Sequence, residues 1–297
     1  MQAQISDASG FVDTRINSGR SRNLGVEMLL TLIPVQTKNF TWQFIANSSY
    51  NITRVLSLKT DVPGERITVG THVFNGELRQ IVGMEMGQIA GFGYKRDDKG
   101  NKIFGANGIA VRTNALVNFG SALPKYVGGF TNSFNYKGLS LSALIDYKLG
   151  NKMLSGTNFN LIRHGLHKMT LQGREGGVVG DGVSAVGGGK NTAIAPVQDY
   201  WSVVRSQALI EPVIYNGGYW KLRQITMGYE LTQYIPEKWP IKGVRLNLVA
   251  NNVLIIKKWV DNIDPETFGY SSDNLVGMES TGLPSTRSIG FNLNIKF

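Results

Sequence analysis

The sequence predicts an all-β chain whose antiparallel strands cross a membrane as part of a β-barrel. Three observations support this prediction: several segments alternate strictly between apolar and polar residues, short and long links alternate between those segments, and the chain ends on an aromatic residue within an apolar strand face. No run of about 18 apolar residues occurs, so the sequence does not predict a membrane-spanning helix.

The last twelve residues, 286–297, show the alternation most clearly. Every second side chain is apolar up to the final residue, in the order Ile289, Phe291, Leu293, Ile295 and Phe297. The last residues of a chain in water usually fray, whereas an apolar face that continues to the terminus is expected where that face meets lipid. This segment is therefore predicted to be the closing strand of an outer-membrane barrel.

Three hairpins repeat the pattern upstream. They join 26–32 to 40–52, 126–136 to 139–149, and 219–231 to 244–255, and two weaker strands are expected at about 82–96 and 102–112. The prediction is thus about nine strands. We expect one face to meet lipid, with Leu141, Ile145, Met227, Leu293 and Ile295, and the other to face a lumen, with Ser142, Thr226 and Asn292.

The lengths of the links give a second signal. Those at 34–39, 137–138 and 232–243 are short, whereas those at 57–81, 150–216 and 257–285 are long. Outer-membrane barrels have short periplasmic turns and long extracellular loops. If Phe297 lies in the periplasm, the segment 150–218 lies outside the cell. Because successive strands cross the membrane in opposite directions, we also expect two strands between 57 and 125.

Composition excludes several other classes of protein. The formal charge is +10, but Lys and Arg residues are scattered singly rather than clustered, so no nucleic-acid partner is predicted. The absence of cysteine excludes disulfide scaffolds and thiolate metal sites. The first residues lack the pattern of a signal peptide, from which we expect the carboxy-terminal piece of a longer exported protein.

No motif predicts catalysis, a cofactor or a metal. The spacing of Gly180, Gly182 and Ala185 fits a dinucleotide-binding pattern, but no strand is expected before it and no helix after it. His164 and His167 lack an evident third metal ligand. No two carboxylates of the long loop lie between strand ends that would hold them at the separation needed for acid/base catalysis, so an enzyme is not predicted.

Segments along the whole chain resemble the carboxy-terminal half of the SusC/RagA family of TonB-dependent outer-membrane transporters. They include Ile16–Met28, Leu123–Lys152, Tyr219–Leu231, Asn262–Glu266 and the terminal strand. The resemblance implies import of an oligosaccharide or a peptide through a barrel of about 22 strands in the outer membrane of a Gram-negative bacterium, with many membrane passes. Residues 1–297 would be the carboxy-terminal part of one barrel domain, and the plug domain and TonB box are absent from this chain.

The resemblance also implies partners. They are TonB, reached through the missing amino-terminal part, a SusD-like surface lipoprotein, the lipid and lipopolysaccharide of the outer membrane, and the outer-membrane assembly machinery. That machinery would read Phe291, Leu293, Ile295 and Phe297 as an assembly signal.

Aromatic and basic residues near strand ends are the candidate site residues. Four could contact cargo or the lipoprotein, or could only tie the long loop to its barrel rim: Tyr200, Trp201, Tyr215 and Trp220. Lys221 and Arg223 are candidate rim charges that could form an ion network or bind an anion. Two other functions stay open, namely a passive porin or adhesin barrel and a soluble glycan-binding β domain, and the sequence does not identify the substrate.

Overall fold

Seven long strands form one antiparallel sheet in which every strand pairs with its neighbours in the chain. The structure, a computed structural model, describes residues 2–4, 8, 10, 13–15, 19–58, 66–72, 74–267 and 275–297. The matched segment Ile16–Met28 is therefore described only from Gly19 onward. The long strands are β1 (Gly19–Gln36), β2 (Phe40–Leu58), β3 (Tyr126–Tyr136), β4 (Leu139–Leu149), β5 (Tyr219–Glu230), β6 (Gly243–Lys258) and β7 (Ser288–Lys296).

The strand register brings apolar residues from six strands into a continuous row. Across the sheet, each of these residues pairs with the next: Trp42, Phe134, Leu141, Met227, Leu248 and Phe291. The adjacent row on the opposite face is mostly polar or small: Gln43, Ser133, Ser142, Thr226, Val249 and Gly290. Because side chains alternate between the two faces, one face of the whole sheet is apolar and the other is polar.

The apolar face remains exposed among the described residues. Phe291 is 77% exposed and Leu248 is 51% exposed, and Leu141 and Met227 are exposed as well. A water-soluble β-sandwich would bury such a face against a second sheet. The faces predicted for Leu141, Met227, Ser142 and Thr226 agree with this register.

The sheet has two fewer long strands than the sequence predicted. Strands β2 and β3 pair directly, for example through Ala46 and Phe130, so no strand lies between them in the sheet. The segments 82–96 and 102–112 instead contain short strands and isolated bridges, with Ile89 and Phe104 fully buried. Alternating strand directions allow any even number of strands between β2 and β3, including zero. The prediction of two strands between 57 and 125 was therefore wrong.

Short turns lie at one end of the sheet and long connections at the other, as the link lengths predicted. Lys137 and Gly138 both have positive φ, at 44° and 86°, which is the backbone conformation of a tight hairpin turn between twisted strands. The link from β5 to β6 contains the short helix Thr232–Tyr234. Strands β1 and β7 are the two edge strands of the sheet.

The long connections fold together into one body, here called the head, which comprises the described residues of 66–125, 150–218 and 259–287. Its helices are α1 (Gly156–Arg163) and α2 (Val197–Ser206), with shorter helices at Lys168–Thr170 and Glu211–Val213. A four-stranded sheet contains Arg66–Thr71, Glu77–Ile81, Gln88–Gly91 and Val117–Ser121.

Short strands also link the three connections. Lys152–Ser155 pairs with Ile214–Asn216 and with Met278–Glu279, while Ile103–Phe104 pairs with Val183–Ser184. Two further pairs are Val178–Val179 with Ile194–Ala195, and Gln2–Gln4 with Asp13–Arg15 near the amino terminus.

A shared hydrophobic core holds the head together. Leu78 and Ile89 come from the first connection, Leu154 and Phe159 from the second, and Met278 from the third, and all are buried. Because each connection contributes part of one core, none of them is an independent loop. No helix among the described residues is long and apolar enough to cross a membrane.

Candidate functional site

Three of the four predicted aromatic residues pack into the head. Tyr200 and Trp201 lie on α2, where Tyr200 stacks on Phe104 with ring centres 6.2 Å apart and Trp201 packs against the head core. Tyr215 packs between buried residues of the second and third connections, and burial, together with nearby Asp261, raises its pKa to about 12. These rings therefore contribute much of their surface to the head's own packing.

Trp220 lies elsewhere. It belongs to β5 and stacks on Tyr147 of β4 with ring centres 4.5 Å apart, and Phe130 of β3 lies next to it. The register places Trp220 on the apolar face of the sheet, at the end nearest the head. That position is typical of the aromatic girdle of a membrane barrel rather than of a loop that contacts cargo.

Lys221 and Arg223 form an ion network with the third connection of the head. The Lys221 ammonium lies 2.7 and 2.9 Å from the two Asp264 oxygens and 2.6 Å from Glu266 Oε2, and its side chain is only 2% exposed. Arg223 donates to Glu266 and, at 2.7 and 2.9 Å, to Asp146 of β4. The network joins the polar face of the sheet to residues 264–266.

A β-bulge explains why Lys221 and Arg223 project to the polar face, although strict alternation would place them with Ile225 and Met227 on the apolar face. Leu144 pairs with Gln224 and Ile145 pairs with Leu222, so Arg223 is an extra residue without a partner in β4. Lys221 and Arg223 can therefore both reach Glu266. Sequence alternation alone would place both on one face, but it cannot reveal the carboxylates that they contact.

Electrostatics lower the pKa of two carboxylates of this network, Glu266 and Asp264. Burial alone would raise the pKa of Glu266, but hydrogen bonds from Arg223, Lys221 and Tyr219 outweigh burial and lower the pKa to about 2. The pKa of Asp264 is lowered in the same way, with burial opposed by Lys221, Ser285 and the backbone amide of Glu266. Lys221 and Arg223 are thus fully engaged with carboxylates of the chain itself.

The terminal strand lies at one edge of the large sheet. Phe291, Leu293 and Ile295 all pair with residues of β6 and lie on the apolar face. Phe297 follows β7 directly and is 74% exposed. Among the described strands it is thus paired on one side only, and its apolar side chains are exposed.

The remaining motifs have local structural roles. Gly180 and Gly182 pack closely against Phe104 and Lys102, where a Cβ atom would clash, so part of the glycine-rich segment is fixed in the head. The Nδ1 of His167 accepts a hydrogen bond from the Met169 amide, while His164 is exposed. Across the described residues no cluster of three or more potential metal ligands occurs.

A basic cleft, which the sequence analysis missed, lies between α1 and α2. Its volume is about 1050 Å³, and its lining includes Arg163, His164, Arg174, Trp201 and Arg205. Arg163 ends α1, Arg205 lies in the last turn of α2, and Arg174 lies in the turns between them. The three arginines are scattered in sequence, and only the packing of the two helices brings them together.

Comparisons with known proteins show similarity over the full length of the chain. A search against models of protein families finds no match. TonB-dependent receptor P3 of Formosa agariphila is 22% identical over 99% of this chain and 30% of its own length. TonB-dependent receptor P26 of the same organism is 22% identical over 100% of this chain and 31% of its own length.

Solved structures share the fold. The RagAB peptide transporter superposes with a TM-score of 0.67 at 18% identity, over 99% of this chain and 31% of that chain. The RagAB peptide importer in the closed-closed state gives a TM-score of 0.69 at 19% identity, over 100% of this chain and 32% of that chain.

These comparisons confirm the resemblance inferred from the sequence. The chain spans less than a third of the length of these relatives. They are receptors and transporters rather than enzymes, and TonB-dependent receptors reside in the outer membrane.

Proposed function

We propose that this chain, a SusC/RagA-type segment of a TonB-dependent receptor, forms the carboxy-terminal part of the wall of an outer-membrane barrel that imports large nutrients. The cargo is an oligosaccharide or a peptide, and TonB supplies the energy through a part of the protein outside this chain. The head lies on the extracellular side, where a SusD-like lipoprotein covers it. Residues 1–297 belong to one barrel domain of about 22 strands.

One observation carries the proposal: seven consecutive strands share one exposed apolar face and one polar face. The strands are 9 to 19 residues long, and about 9 to 11 tilted residues suffice to cross a bilayer. A continuous apolar surface of this size is unfavourable in water but is stabilised in hydrocarbon. The polar face, with the Ser133 and Ser142 hydroxyls 3.0 Å apart, suits a water-filled lumen.

The two edge strands support a larger barrel. Backbone groups at the outer edges of β1 and β7 lack strand partners in the described sheet. Unpaired backbone groups are costly in lipid, so further strands of the same barrel must pair with these edges. Each relative is about three times as long as the part that matches this chain, which is consistent with further strands that complete the barrel.

Uptake measurements test the proposal. The full-length gene would be deleted and restored in its native host, and uptake of fluorescent oligosaccharides and peptides would be compared with and without TonB. We expect the gene to be required for at least one cargo and uptake to stop when TonB is removed. Uptake that continues without TonB would indicate a passive porin and refute the proposal.

A further inference from the structure

The basic cleft between α1 and α2 has an unusual balance of charge. Its lining contains Arg163, Arg174 and Arg205, and none of the described residues that line it is a carboxylate. With His164 neutral, the formal charge of the lining is therefore +3. Such a concentration of one sign focuses a positive potential into the cleft and attracts anions.

Two of the three arginines have free guanidinium groups. Arg163 and Arg205 are exposed, and neither makes an ion pair or side-chain hydrogen bond within the described part of the chain. Arg174 is fixed by donating to the backbone oxygens of Gly165 and Thr170, the latter at 3.1 Å from Nε. The cleft thus combines one anchored guanidinium with two that are available to a ligand.

Helix stability alone does not explain this arrangement. Arg163 and Arg205 occupy the last turns of α1 and α2, where positive charge is favourable. That effect does not require the two helices to point their arginines into the same cleft, and it does not apply to Arg174. Lys221 and Arg223, in contrast, are neutralised by carboxylates of the chain itself.

The other lining groups favour a carbohydrate over a peptide. One common way to bind an extended peptide is to pair it with a free strand edge, and this cleft, lined by helices and turns, offers no such edge among the described residues. Gln198 offers an exposed amide. The exposed Ser202 and Ser206 hydroxyls already donate to backbone oxygens of α2 but can still accept from sugar hydroxyls, and the Trp201 ring adds an apolar surface. A volume of about 1050 Å³ accommodates a short oligosaccharide.

We infer that the basic cleft binds an acidic oligosaccharide, with arginine guanidinium groups contacting the carboxylate or sulfate groups of the sugar chain. Guanidinium forms paired, charge-assisted hydrogen bonds with planar carboxylates and also with sulfates. This inference rests on the proposed function and narrows its cargo to negatively charged glycans.

Binding to the full-length protein in detergent tests the inference. The probes are an oligogalacturonide, a neutral oligosaccharide of equal length, a glutamate oligomer and lipopolysaccharide. We expect only the oligogalacturonide to bind well, with an affinity that falls as salt is added. The double variant Arg163→Gln and Arg205→Gln should bind it on the order of tenfold or more weakly. The exposed Arg287, which does not line the cleft, gives the matched control Arg287→Gln.

Several outcomes would overturn the inference. They are equal binding of the neutral sugar, preferential binding of the glutamate oligomer or lipopolysaccharide, or unchanged affinity in the double variant. The assay contains no TonB, so it is separate from the uptake test. If uptake does not need TonB but the cleft binds the oligogalacturonide as expected, only the transport proposal is refuted. If uptake needs TonB but the double variant binds as well as the wild type, only the inference about the cleft is refuted.

Discussion

Replacing Lys221 with methionine should weaken the attachment of the third connection of the head to the sheet. The Lys221 ammonium lies within 3 Å of three carboxylate oxygens of Asp264 and Glu266, and the Asp264 side chain is only 4% exposed. Arg223 would still neutralise Glu266, but Asp264 would lose its only cationic partner among the described residues. Removal of one member of a buried ion pair costs about 3–5 kcal/mol.

Hydrogen exchange of the full-length protein in detergent measures that cost. Backbone amides of 259–267 and 275–287 should exchange faster in Lys221→Met, whereas the exposed turn variant Lys38→Met should match the wild type. Adding Asp264→Asn should recover part of the protection, because the buried charge is removed. Unchanged exchange in Lys221→Met, or a double variant no better protected than the single one, would show that the Lys221–Asp264 ion pair does not hold the third connection in place.

The same network predicts a dependence on pH. The pKa of Glu266 falls from an ordinary value of 4.5 to about 2 in the folded protein. A lowered carboxylate pKa stabilises the fold above the unfolded-state value, and that stabilisation is lost as pH falls through the folded-state value. Protection of the third connection should therefore decrease between about pH 4.5 and pH 2. Acid should have less effect in Glu266→Gln, and equal acid sensitivity in that variant would assign the loss to other groups.

Three further predictions concern the sheet. Ile145→Arg should cost about 2–4 kcal/mol if the residue lies near the bilayer midplane, and Ser142→Arg on the polar face should cost much less, so equal surface levels of the two variants would contradict the assigned faces. Phe297→Asp should reduce the amount of protein in the outer membrane without changing its synthesis, and normal amounts would exclude the assembly role. Trp220→Ala should lower the free energy of unfolding by about 1 kcal/mol through lost stacking on Tyr147, without altering the affinity for cargo. Weaker cargo binding by this variant would indicate that Trp220 contacts cargo.

Alternation within strands made the large sheet predictable from sequence. Along each long strand, apolar residues lie on one face and mostly polar residues on the other. The hairpin at Lys137 and Gly138 fixes the register of β3 and β4. The sequence prediction failed between 57 and 125, because a short buried strand such as Gln88–Gly91 and a membrane strand are both rich in apolar residues. Alternation does not show whether such residues face lipid or a protein core.

The candidate site was less predictable because it depends on long-range contacts. Lys221 was identifiable as a charge near a strand end, but its contact with Asp264 links residues 43 positions apart. Similarly, Arg163 and Arg205 become neighbours only when α1 packs against α2. Local patterns describe strands and turns, whereas the packing of three long connections into one head determines which charged groups meet.

In the proposed topology, the sheet crosses the outer membrane with the head outside and the short turns inside. The chain contains no cysteine, so single cysteines can be placed without background from this segment. Head positions would be Ser184 and Ser206, and turn positions would be Lys38 and Lys137, all of them at least partly exposed.

A bulky impermeant maleimide applied to intact cells distinguishes positions outside the cell from positions in the periplasm. We expect cysteines at both head positions to be labelled, and those at both turn positions to be labelled only after the outer membrane is permeabilised. Expression of the SusD-like lipoprotein proposed to cover the head should protect at least one head position. Labelling of the turns in intact cells, or failure of the head positions to react while a known surface control is labelled, would show that this topology is wrong.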